Sequence, residues 1–196
     1  IWNKKSQTGV DLPSKWSVES LVVLPNGDLA SGSGNGSILI WDIEKRALKK
    51  VMNGHYSRVT KLINLPNGLL LSASFDDTLR IWNVSESRLV KTIFNNNQNF
   101  NNVFLLKNGD IAINSYHEHK IKIFDSVNYN LKKELTHQDY IWKLLELPNG
   151  DLASSSYDKT VQLWKKNSYE KSITLEHHAL PIAFTYLSNG YLASAA

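Results

Sequence analysis

Leu71-Ser72-Ala73-Ser74-Phe75-Asp76-Asp77-Thr78-Leu79-Arg80-Ile81-Trp82 and Ala153-Ser154-Ser155-Ser156-Tyr157-Asp158-Lys159-Thr160-Val161-Gln162-Leu163-Trp164 carry one pattern twice. A run of small and apolar residues leads into a polar turn with Asp at the sixth place, and a second run closes on Trp at the twelfth. Short runs of this kind bounded by turn residues read as two strands joined by a hairpin, and neither stretch shows a sustained period near 3.6.

Working outward, a second marker recurs: Leu24-Pro25-Asn26-Gly27, Leu65-Pro66-Asn67-Gly68, Leu106-Lys107-Asn108-Gly109, Leu147-Pro148-Asn149-Gly150 and Leu187-Ser188-Asn189-Gly190. The Asn positions step by 41, 41, 41 and 40, and the series Trp2, Trp41, Trp82, Phe124, Trp164 steps by 39, 41, 42 and 40. Two independent markers with one period define a repeat protein. Pro and Asn suit the central places of a tight turn and Gly supplies its left-handed residue. Within one unit the runs 62–65, 69–73, 78–82 and 89–93 then form a meander of four antiparallel strands. Such small sheets bury both faces only by stacking on neighbouring units.

On these motifs, together with Gly54-His55 and Ile40-Trp41-Asp42, the whole chain resembles the WD-repeat β-propeller family. The resemblance implies an all-β chain, a β-propeller of four-stranded antiparallel blades with four complete units at about 14–54, 55–95, 96–136 and 137–176. Partial units at 1–13 and 177–196 flank them. The chain opens on the third strand of one unit and closes on the second strand of another. Joining the ends leaves 4 steps between Ser194 and Trp2 where complete units have 10. The expectation is a fragment of a longer propeller, seven-bladed by resemblance, with a nicked five-blade ring as the rival.

The resemblance also implies a polar network within each blade. His55, Ser72, Asp76 and Trp82 are spaced by 17, 4 and 6 residues, and His137, Ser154, Asp158 and Trp164 repeat that spacing. The set can close chemically, since the carboxylate accepts from one ring nitrogen, the other accepts from the hydroxyl, and the hydroxyl oxygen accepts the indole N–H. Ser, His and Asp together also suggest a nucleophilic triad, but that chemistry needs an exposed nucleophile and an oxyanion hole. A hydroxyl engaged by an indole, recurring in two units, points to structural bracing. The first unit keeps Ser31 and Trp41 but has Ser14 and Asn35 for His and Asp. The third has Asn97, Asn114, Glu118 and Phe124, and is expected to hold together by apolar packing. The last has His177 and Ser194.

Composition bounds the function. Of 196 residues, 42% are hydrophobic and none is Cys, so disulfides, thiolate metal sites and cysteine nucleophiles are absent from this sequence. No apolar run approaches the roughly 18 residues of a membrane-spanning helix. A net charge of +4 is modest for a nucleic-acid binder. The basic clusters Lys4-Lys5, Lys45-Arg46 with Lys49-Lys50, Lys132-Lys133 and Lys165-Lys166 are spread over several units, as edge-protecting lysines are. Ser31-Gly32-Ser33-Gly34-Asn35-Gly36 leads into a strand, which argues against a phosphate-binding loop. His117-Glu118-His119 and His177-His178 read as solvated loop residues, because two His in a turn lack the further ligands of a metal site. The Asn-rich run 94–102 reads as an elaborated loop inside the repeat.

Family resemblance therefore implies a non-catalytic scaffold with no cofactor and no metal, binding proteins or peptides. Neither nucleic acid nor membrane is expected as a partner, and an open ring would self-associate. The alternative is a targeting or sensor module of a larger enzyme, such as a kinase, a ubiquitin ligase or a nucleotide-switch protein. The expected location is intracellular and cytoplasmic, with a nuclear one left open. The expected binding face is formed by the loops from the fourth strand of one unit to the first of the next (d-to-a) and the turns between second and third strands (b-to-c). There it carries Trp16, Arg58 and Tyr140 near the first strands, and Phe75, Tyr116 and Tyr157 before the b-to-c turns. Aromatic residues and Arg are the types that dominate binding energetics.

Overall fold

The computed structural model describes residues 2–3, 8–9, 12, 14–94, 100–115, 118–188 and 190–196. Among these, twenty strands form four four-stranded and two two-stranded sheets. The first four-stranded sheet contains β3 (Val18–Val23), β4 (Leu29–Ser33), β5 (Ile38–Asp42) and β6 (Ala47–Met52). Next come β7 (Val59–Asn64), β8 (Leu70–Ser74), β9 (Thr78–Asn83) and β10 (Arg88–Phe94). The third sheet has β11 (Phe100–Leu105), β12 (Ile111–Ser115), β13 (Lys120–Phe124) and β14 (Leu131–Thr136). The fourth has β15 (Ile141–Glu146), β16 (Leu152–Ser156), β17 (Thr160–Trp164) and β18 (Lys171–Glu176). Strands β1 (Trp2–Asn3) and β2 (Thr8–Gly9) pair near the start, and β19 (Ala183–Tyr186) and β20 (Leu192–Ala195) pair near the end. Every four-stranded sheet runs in chain order, a meander as expected of a blade. Among the described residues no helix is long and apolar enough to cross a membrane.

The tetrads Leu-Pro-Asn-Gly, with Lys for Pro in the third, close the first hairpin of each four-stranded sheet. In the first, Gly27 donates its N–H to the Leu24 carbonyl at 2.9 Å, and Leu24 donates to Asp28 O at 2.8 Å. Gly68 shows why this place is glycine: its φ is +80° and a Cβ there would meet nothing within 4 Å, so backbone conformation alone imposes the choice. Gly32 has the opposite reason, because a Cβ would stand 2.6 Å from the Val59 carbonyl oxygen where β4 approaches β7.

Strands β8, β12 and β16 are buried at every residue, so their sequences run small and apolar without alternation. Strands β14 and β18 are mostly exposed, which explains their lysines. Irregularities recur in register. The first pair of strands in each sheet carries an extra residue at Glu19, Thr60, Asn101 and Trp142. The third and fourth strands carry one at Lys49, Lys132 and Ser172. A bulge of this kind re-aims the extra side chain.

Two compact units result, one of residues 1–64 with 68–92 and the other of 65–67 with 93–196. In the first, Leu24, Ile38, Ile40, Met52, Val59, Leu62, Leu70 and Trp82 form an apolar cluster between its two four-stranded sheets. The second unit buries Leu106, Ile121, Ile123, Leu135, Ile141, Leu144, Leu152 and Trp164 between the third and fourth sheets. A smaller cluster of Leu147, Ala153 and Phe184 joins β16 to the last pair of strands.

Candidate functional site

In the second sheet, His55 enters just before β7, Ser72 lies on β8, Asp76 in the β8-to-β9 turn and Trp82 on β9. His55 Nδ1 stands 2.8 Å from Asp76 Oδ2 and its Nε2 2.7 Å from Ser72 Oγ, while Trp82 Nε1 donates to that oxygen at 2.8 Å. The fourth sheet repeats these distances for His137, Asp158, Ser154 and Trp164: 2.8, 2.7 and 2.8 Å. The carboxylates take more donors than the four-residue pattern names. Asp76 accepts from the Tyr56 N–H at 3.0 Å, the Thr78 N–H at 3.1 Å and the Thr78 hydroxyl at 2.6 Å. Asp158 does the same with Gln138 and Thr160. The Thr two places after Asp is the signal that sequence reading passed over, since an Asp side chain caps its own turn two residues on.

Protonation follows from this enclosure. Burial holds His55 and His137 below the ordinary histidine value of 6.5, against the opposing pull of Asp76 and Asp158. Burial by itself would raise both carboxyls. The Thr hydroxyls, the Tyr56 and Gln138 amides and the histidines together hold them below 3.8. The neutral ring donates from Nδ1 to carboxylate and accepts at Nε2 from serine. Ser72 and Ser154 are fully buried, and each oxygen already faces an imidazole and an indole. No carbonyl substrate can approach such a hydroxyl.

The other sheets use different fastenings. Trp41 Nε1 donates to Ser31 Oγ at 2.9 Å, whereas Ser14 donates locally, to the Trp16 carbonyl at 2.7 Å. Asn35 accepts from the Ser37 N–H at 3.1 Å, as a turn cap. The third sheet corrects the expectation of purely apolar packing. Asn114 is fully buried, accepts from Asn102 Nδ2 at 2.7 Å and donates to the Ile141 carbonyl of the fourth sheet at 3.1 Å. Asn97 and His117 lie outside the described residues. Glu118 pairs with Lys122 at 2.7 Å, and His119 stacks on Tyr140 with centroids 6.3 Å apart. His177 Nε2 is 2.7 Å from Ser194 Oγ. Among the described residues, no three His, Asp or Glu are grouped to hold a metal ion.

The lysines of the basic clusters are more than edge guards. Lys49 and Lys132, the bulged residues, reach Asp28 and Asp110 at 2.7 and 2.8 Å. Lys50 donates to the Val84 and Ser85 carbonyls at 3.0 and 2.8 Å, and Lys133 to Ser168 O at 2.9 Å. Lys49 and Lys132 thus tie the fourth strand of a sheet to the first turn of the same sheet, whereas Lys50 and Lys133 tie one sheet to a turn of the next within their own unit. The pair Lys4 and Lys5 lies outside the described residues.

Of the loop-face residues, the structure brings together two pairs. Phe75 N–H donates to the Arg58 carbonyl at 3.0 Å in one unit, and Tyr157 N–H to the Tyr140 carbonyl at 2.9 Å in the other. Ser74 and Ser156 reinforce the same junction by donating to Ser57 O and Asp139 O. In the first sheet the equivalent bond runs from Gly34 to Ser17 at 2.8 Å. Trp16 thus sits one place earlier than Arg58 and Tyr140 and has no aromatic partner across the junction. Trp16, Phe75, Tyr140 and Tyr157 are 41% to 53% exposed, and Arg58 reaches Glu19 only at 3.9 Å. Tyr116 lies outside the described residues.

Sequence reading missed two aromatic residues at these junctions. Tyr56 is 90% exposed and lies under the Arg80 guanidinium at 5.7 Å; its only signal is that it follows the network histidine. Trp142 meets Tyr157 edge-on at 6.0 Å and donates to the Ile182 carbonyl at 3.1 Å. Its outward aim comes from the bulge in β15, which strand alternation does not announce.

Comparison with known proteins bears on the whole arrangement. The family described as WD domain, G-beta repeat matches at residues 8–42, 46–83 and 129–165. A stretch of the chain is 50% identical over 50 residues to the striatin homolog of Dictyostelium discoideum. That match spans 24% of this chain and 6% of the length of that relative.

Proposed function

Since the chain belongs to the WD-repeat family, with antiparallel four-stranded β-propeller blades, we propose that it is a non-catalytic interaction scaffold. Its d-to-a loops and b-to-c turns bind proteins or peptides. The observation that carries this reading is the pairing of Arg58 with Phe75 and of Tyr140 with Tyr157 across the same backbone bond in two different blades. Each pair sits on a junction held from below by the His–Ser–Asp–Trp set. The side chains are thus exposed while their backbone is fixed, which limits the entropy lost on binding. Bracing is the role we assign to the two sets.

Site-specific photo-crosslinking tests the reading. A photoreactive phenylalanine analogue replacing Phe75 or Tyr157 is expected to capture a partner, and the same analogue replacing Asn149 in an opposite turn is not. Capture from the opposite turn alone would move the site off the proposed face.

A further inference from the structure

At the opposite end of the blades, Tyr169 occupies the β17-to-β18 turn with φ of 54° and is 2% exposed. Its hydroxyl donates to Asp110 Oδ2 at 2.5 Å and accepts from Asn108 Nδ2 at 2.7 Å. Lys132 Nζ binds the same carboxylate oxygen and stands 5.7 Å from the centre of the phenol ring. The phenol is therefore held in a cradle of Asn, Asp and Lys between two sheets of the second unit.

The first unit contains the same cradle. Asn26 Nδ2 and Lys49 Nζ meet on Asp28 Oδ2 at 2.8 and 2.7 Å, and Lys49 is the bulged residue of its strand just as Lys132 is. Tyr169 follows Asp110 by 59 residues, and the residue 59 places after Asp28 is Ser87. Ser87 has φ of 53°, so the turn is alike and only the side chain is missing. With Ser85, two residues before Ser87, this turn borders a cavity of about 400 Å³, walled by Leu24, Ile40 and Val84 and edged by Asn26, Asp28, Lys49 and Lys50.

We propose that this cavity is a binding site for a phenolic ring. The apolar walls take the ring, Asp28 accepts a hydrogen bond from the hydroxyl, and Asn26 donates to the phenol oxygen. Lys49 holds the place from which Lys132 covers Tyr169. The volume lies within the range of small-molecule sites, about 300–1,000 Å³. A bare aromatic ring gains less there, because it leaves the buried Asp28 without the hydroxyl. This site is independent of the loop face, being at the other end of the strands.

The test titrates the chain with p-cresol, with toluene and with N-acetyl-tyrosinamide, read by chemical shifts of the Leu24, Ile40 and Val84 methyl groups. Millimolar p-cresol is expected to bind at least about tenfold more tightly than toluene. Asp28→Asn is expected to weaken p-cresol about tenfold and leave toluene unchanged. Ser87→Tyr is expected to fill the cavity and abolish binding, while Ser87→Ala binds as the parent does. If Ser87→Tyr does not fold, Asp28→Asn still decides. Tyrosinamide binding as well as p-cresol makes the site a receptor for a tyrosine side chain; binding of p-cresol alone assigns it to free phenols. No shift with either phenol, equal affinity for toluene, or no effect of Asp28→Asn overturns the proposal.

Discussion

Asn114 donates its side-chain amide to the carbonyl of Ile141 at 3.1 Å, so the blade with none of the four network residues in place is fastened to its neighbour. This bond crosses between two sheets of the second unit at a place where both groups are buried.

Asn114→Ala is therefore expected to destabilise the chain by about 1–3 kcal/mol, the cost of removing a buried amide that bonds both Asn102 and Ile141. Ser14→Ala, which removes a local exposed bond, is expected to stay within about 0.5 kcal/mol. Urea midpoints measure both, and equal shifts would remove the buried-bond argument.

His137→Ala and Asp158→Ala are each expected to cost about 1–3 kcal/mol. The double variant should cost clearly less than the sum, because the two residues share one network. Thr160→Val, which removes one of several donors to Asp158, should cost less than either. A double-mutant cycle in denaturant gives the coupling directly, and strict additivity would show that the network is not a unit.

Acid sensitivity follows from the histidines. Their folded values are depressed below 6.5, so the unfolded chain binds protons first as pH falls. Their contribution is fully present above 6.5 and is lost progressively as pH drops from there toward the folded values. The depressed carboxyls add a second loss that starts below 3.8. Stability measured from pH 7.5 to 5 should decline in the parent chain. It should decline less steeply in the His55→Phe, His137→Phe double variant.

On the loop face, Tyr157→Ala and Phe75→Ala are expected to weaken a cross-linked partner tenfold or so, as central aromatic anchors do, with little change in melting temperature. Trp142→Ala should weaken binding through Tyr157 and also lower stability, because it loses the bond to Ile182. Titration calorimetry with the purified partner and a thermal melt separate these effects.

The repeat period, the strand order and the two His–Ser–Asp–Trp sets were legible in the sequence. Turn chemistry and residue spacing are local properties, and a strand meander carries them unchanged into space. Thus Leu24-Pro25-Asn26-Gly27 states its own turn, and the 17-residue step from His55 to Ser72 already places them on adjoining strands. Trp142, and the reach of the edge-strand Lys49 to Asp28, were not read because a single bulge reverses which way a side chain points, and strand alternation is blind to it. Asn114 with Ile141, Tyr169 with Asp110, and the cavity between Asp28 and Val84 were decided only by tertiary structure. Each depends on the distance between neighbouring sheets, which is set by how whole apolar faces pack and not by any residue's place in its own repeat.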